Sequence, residues 1–116
     1  MTQEKLFKVQ EPKSIKDGSH KGRIIDVTYR TAPYEYTDLT LEFKQDQDTY
    51  KLKYGLPSTI YPDNKIGKLI KAFGGEVKFG EEINPYKIFV GKACEFMTMT
   101  KGNFANVVDE SLKPIN

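Results

Sequence analysis

Tryptophan is absent from this 116-residue chain, and cysteine and histidine occur once each, as Cys94 and His20. A single cysteine excludes an internal disulfide and fits a reducing, cytoplasmic setting. One cysteine and one histidine fall short of the ligand set of a zinc site. No apolar run approaches the roughly 20 residues that span a bilayer, and the polar opening Met1-Thr2-Gln3-Glu4-Lys5 has no signal-peptide core. There is no Walker-type phosphate loop and no G-x-G-x-x-G. Charge of one sign is scarce as well: 18 Lys and Arg against 16 Asp and Glu leave a net charge of +2. Such a balance permits a nucleic-acid partner without requiring one.

What is present is enough for one domain. Hydrophobic residues make up 38% of the chain, and a domain of this length buries about two-thirds of its unfolded surface without staples. Residues 1–19 are polar and interrupted by Pro12 and a Lys16-Asp17-Gly18 turn signal, so they read as an extended arm with a short strand near Phe7. The remaining residues, 20–114, form the domain. Lys21–Arg30 is rich in β-branched and aromatic residues and reads as a first strand, with Ile25, Val27 and Tyr29 on the core side. Thr31-Ala32-Pro33 then breaks it. In Tyr36–Phe43 the residues Leu39, Leu41 and Phe43 alternate with Asp38, Thr40 and Glu42, the period of a half-buried strand. A polar turn, Gln45-Asp46-Gln47-Asp48, leads to a third strand in which Tyr50, Leu52 and Tyr54 alternate with Lys51 and Lys53. Gly55 and Pro57 are read as ending the sheet pattern.

Ile66, Leu69, Ile70 and Phe73 stand at i, i+3, i+4 and i+7 behind an Asp63-Asn64 cap, which predicts one amphipathic helix. Gly67 is an interior cost of about 1 kcal/mol, and Gly74-Gly75 is the stop signal. Residues 76–91 give no clear element beyond the apolar anchor Ile88-Phe89-Val90. Lys92–Thr100 predicts a fourth strand, with Cys94 and Phe96 on one side and Glu95 and Met97 on the other. Lys101-Gly102-Asn103 turns it into a fifth, Phe104–Val108, and a polar tail runs from Asp109. The class is therefore mainly β. Five strands with one α-helix between strands 3 and 4 is the order of the OB-fold barrel.

Several segments carry a family resemblance. They are Lys21-Gly22-Arg23-Ile24-Ile25-Asp26-Val27, Tyr34-Glu35-Tyr36-Thr37-Asp38-Leu39, Lys51-Leu52-Lys53-Tyr54-Gly55-Leu56-Pro57, the run from Gly67 to Gly74, and Val90-Gly91-Lys92-Ala93-Cys94. In this layout the chain resembles small OB-fold proteins of phage and archaeal type that bind single-stranded DNA. The resemblance implies a non-catalytic role in replication or recombination, with other proteins of those processes as further partners. The acidic, glycine-rich tail of the bacterial single-strand binders is missing.

OB-folds bind single strands across strands 2 and 3, between the 1–2 and 4–5 loops, using aromatic faces for bases and cations for phosphates. The residues placed there are Arg30, Tyr34, Tyr36, Lys51, Lys53, Lys101 and Asn103. Tyr34 and Tyr36 either stack on a ligand or serve as surface aromatics. Asp38 and Glu42 share the face and are expected to pair with Lys51 and Lys53 across the strands. The bland readings cover the rest. Cys94 is a buried structural thiol, His20 a surface side chain, Lys65, Lys68 and Lys71 a solvated helix face, and Glu81-Glu82 a solvated pair too small for a hard-cation site. No catalytic residue, metal site or cofactor is assigned. The leading expectation is single-stranded nucleic-acid binding. The alternative is a protein-interaction module using the same face or an edge strand.

Overall fold

A computed structural model describes residues 4–7 and 14–115. Strands β1 (Gly18–Arg30), β2 (Tyr36–Gln45) and β3 (Asp48–Pro57) come first. Helices α1 (Lys65–Ala72) and α2 (Pro85–Phe89) follow, then β4 (Ala93–Lys101), β5 (Phe104–Val107) and a two-residue β6 (Lys113–Pro114). The strands are ordered β3-β2-β1-β4-β5, all neighbours are antiparallel, and β6 pairs with β4. The sheet curls into a half-barrel with β3 and β5 at its two edges. The mainly β class is thus present, while no ladder joins β3 to β5 among the described residues.

β1 reaches both halves because it is 13 residues long and bends at a bulge. Its pairing with β2 slips by one residue between Ile24 and Asp26. A bulge places two residues opposite one, so the side-chain alternation resets there. Ile24 and Val27 therefore both enter the core, while Ile25 is half-buried and Tyr29 is exposed. Ile25 thus leaves the core face expected for it, while Tyr29, opposite buried Thr37, keeps the parity of Val27 and is exposed only because it lies near the end of the strand. β2 and β3 form a hairpin closed by Gln45↔Asp48, with Asp46 at φ 57° in the turn. β3 continues through Gly55 and Leu56 to Pro57, beyond the end that Gly55 and Pro57 suggest. Pro57 is tolerated because β3 is an edge strand.

The core lies inside the curl. Leu39, Leu41 and Phe43 of β2 meet Tyr54 and Leu56 of β3, Cys94 and Phe96 of β4, and the α1 stripe Ile66, Leu69, Ile70 and Phe73. Asn64 caps α1, its Oδ1 accepting from the Gly67 N–H at 3.0 Å, a bond worth about 1 kcal/mol. The helix ends in a Schellman turn: Gly75 N–H donates to the Ile70 carbonyl and Gly74 N–H, at φ 92°, to that of Lys71. α2 is the element that sequence periodicity leaves unassigned. Asn84 caps it and Pro85 opens it, and its five residues bury Phe89 edge-on to Phe73.

Two further expectations are corrected. The tail after Asp109 is not merely polar, since Leu112 is 4% exposed and belongs to the core cluster. His20 is half-buried on the core side, its ring 4.8 Å from that of Phe43, and its Nε2 lies 2.8 Å from the Lys16 carbonyl and 3.0 Å from Thr98 Oγ1. Much of the extended arm expected over residues 1–19 lies outside the described residues. Leu6 and Phe7 are exposed and outside any strand. Among the described residues, no helix is long and apolar enough to cross a membrane.

Candidate nucleic-acid interface

Residues directly opposite on antiparallel strands share a face, so the ladders fix which side chains stand together outside the curl. β1 contributes Lys21, Arg23 and Arg30. β2 contributes Lys44, and β3 contributes Lys51 and Lys53. The carboxylates on the same face are Asp26, Asp38, Glu42 and, directly opposite Lys21 on β4, Glu95. Six cations stand beside four carboxylates here, although the chain as a whole is nearly neutral.

One end of the face is a built cluster. Arg30 Nε donates to Asp38 Oδ2 at 2.5 Å and its Nη2 to Oδ1 at 2.9 Å, a fork-to-fork pair. The guanidinium carbon sits 4.9 Å from the centre of the Tyr36 ring, against one of its faces. The Asp38 side chain is only 6% exposed, against 51% for Arg30. The opposite position on β3 is Gly55, where a Cβ would lie 2.8 Å from Asp38 Oδ1 and 3.1 Å from Arg30 Nη2. A glycine is what leaves room for the pair. The hydrogen bonds that Arg30 donates to Asp38 hold its guanidinium above its ordinary pKa. Asp38 thus pairs with Arg30 and not with the β3 lysines expected from the sequence.

Those lysines are free. Lys51 and Lys53 are exposed and make no ion pair or side-chain hydrogen bond among the described residues. The Glu42↔Lys51 pair is six ladder positions from Tyr36↔Pro57, about 20 Å at the rise of a strand. The seven residues singled out in the sequence are therefore spread along a track. Tyr34 is 72% exposed in the loop beside Arg30 and Tyr36, and Lys51 and Lys53 lie farther along. Lys101 and Asn103 are on the β4–β5 hairpin, across the open edge. There a groove of about 540 Å³ is lined by Tyr50 and Leu52 of β3 and by Thr100, Asn103 and Phe104. Phe104, 74% exposed, is the aromatic of this region that sequence reasoning placed simply within a strand. Its neighbours Lys101 and Asn103 were the available signal.

The groups with catalytic potential are placed differently. Burial pushes the Cys94 thiol up to about 11, with Arg23 pulling weakly the other way. A thiol so protonated is a poor nucleophile. Among the described residues no group of three or more His, Cys, Asp or Glu could hold a metal ion. Of the helix lysines, Lys65 makes a 3.1 Å ion pair with Asp109. That contact, chiefly its hydrogen bond, raises the lysine and lowers the carboxyl. Tyr54, pushed up mainly by burial, hydrogen-bonds Asp109 at 3.3 Å. These groups flank a second groove of about 280 Å³ floored by Leu56, Leu69 and Leu112. No protein-family model, no curated protein and no solved structure matches this chain.

Proposed function

We propose that the protein is a non-catalytic, single-stranded nucleic-acid-binding domain of OB type, acting on DNA in replication or recombination in the cytoplasm. The observation that carries this reading is the excess of cations over carboxylates on the outer face of β1–β2–β3, ending at the exposed Tyr34. A charged track with aromatic platforms is what sequence-tolerant binding of a single strand needs. The strand order supports the OB assignment. A partly open five-stranded barrel places β3 and β5 at its seam, and these are the two edges of the sheet. On this reading Lys21, Arg23, Lys44, Lys51 and Lys53 follow phosphates, Tyr34 stacks a base, and Lys101, Asn103 and Phe104 hold the far end of the strand.

Fluorescence anisotropy of labelled oligo-dT at two salt concentrations tests it, beside oligo-U and duplex DNA of equal length. Saturable binding to dT that weakens with salt, with little duplex affinity, is the expected result. No binding at low salt with tens of micromolar protein overturns it. A second reading, a protein-docking module, is favoured by one observation: Met97, Met99 and Phe104 are exposed together on the outer side of the β4–β5 hairpin. Failure of every oligonucleotide, with self-association in light scattering, would favour that reading.

A further inference from the structure

The Arg30 cluster has a chemistry that its sequence does not announce. A guanidinium is planar and has two faces and three edges. The guanidinium carbon of Arg30 lies over the Tyr36 ring. The edge formed by Nε and Nη2 is taken by the buried carboxylate of Asp38. Half of the side chain is nonetheless solvent-exposed, and Nη1 makes no hydrogen bond among the described residues. The opposite face and the Nη1 edge are therefore what the cluster offers to a ligand.

We propose that the exposed face of the Arg30 guanidinium is a base-stacking platform for the bound single strand, with Nη1 donating to the adjacent phosphate and Asp38 as its positioning residue. This rests on the nucleic-acid reading above and refines it: Tyr36 lies beneath the platform and does not itself meet the base. Arginine planes are established stacking partners for unpaired bases. A guanidinium pinned at one edge loses less conformational freedom on binding than a free lysine would. Gly55 belongs to the same device, because a Cβ there would crowd both Asp38 Oδ1 and Arg30 Nη2.

The test uses the full chain and a dT oligonucleotide carrying one 2-aminopurine, whose fluorescence is quenched when it stacks. For the unaltered protein we expect binding with quenching at one register of the probe. Arg30→Lys keeps the charge and removes the plane. It should bind about 10-fold or more weakly, with the salt slope unchanged and the quenching lost. Asp38→Asn and Gly55→Ala leave Arg30 in place but release or displace it, and should reduce quenching in the same way, with thermal melts showing that each variant is folded. Normal affinity and quenching in Arg30→Lys overturns the platform while leaving the binding function intact. No binding of dT by the unaltered protein overturns the function and the platform together.

Discussion

Gly67 lies so close to the carbonyl oxygen of Tyr61 that a Cβ on it would stand 1.7 Å away. The glycine that looks like a flaw in the α1 pattern is therefore the contact that lets the helix start directly beneath the 58–64 loop. Asn64 completes the joint, with its Oδ1 shared between the Gly67 and Tyr61 N–H groups and its Nδ2 donating to the Thr59 carbonyl. Alanine at 67 gains about 1 kcal/mol of helix propensity but must push apart two backbones. We expect Gly67→Ala to lose about 2 kcal/mol net or more, measured as a lower urea midpoint with unchanged slope. An unchanged midpoint would mean that the loop yields freely.

The C-terminal segment is part of the core. Leu112→Ala should cost about 3 kcal/mol, the range for truncating a buried leucine. Ile115→Ala, three residues on and exposed, should stay within about 0.5 kcal/mol. Chemical denaturation of the two variants side by side checks this.

Cys94 should resist reaction with a disulfide reagent in the native protein at pH 8 and react at once in denaturant, because burial holds its thiol protonated up to about 11. The linked effect on stability has a definite sign. A group raised on folding stabilises fully below its unfolded value, near 9 for this thiol, and loses that contribution as pH rises through about 11. Tyr54, also raised by burial, acts in the same direction. Urea midpoints should therefore fall above about pH 9, less steeply in Cys94→Ala.

Lys51 and Lys53 are exposed, on the cationic face and without an ion pair among the described residues, so their contribution to binding should be purely electrostatic. Replacing both with glutamine should make the plot of log affinity against log salt shallower by about 1.4, at roughly 0.7 per phosphate on a single strand. Stability should barely change. Tyr34→Ala, in contrast, should lower affinity at every salt concentration by a constant factor.

Local pattern was enough for the elements whose burial repeats with their own geometry. Leu39, Leu41 and Phe43 alternate as the β2 ladder requires, and Ile66, Leu69, Ile70 and Phe73 form the buried stripe of α1. Cys94 and Phe96 turn inward from β4 as their parity indicates. At Ile25 the pattern misleads, because a bulge is a property of two paired strands, and one strand read alone carries no mark of the extra residue. α2 escapes notice because five residues are too few to establish a helical period, and its burial comes from Phe89 meeting Phe73, 16 positions earlier.

The candidate site divides along the same line. The sequence by itself determined the mainly β class, the outward parity of Tyr36, Lys51 and Lys53, and the exposed loop that carries Tyr34. Parity and turn chemistry are local properties of a strand and its ends. Only the tertiary structure decided that Asp38 would take Arg30 and leave the lysines free, that Gly55 would make room for that pair, and that Phe104 would stand exposed at the rim of the groove along the open edge. Those outcomes depend on which strands become neighbours and in what register, and the register is set by burying the opposite face of the sheet.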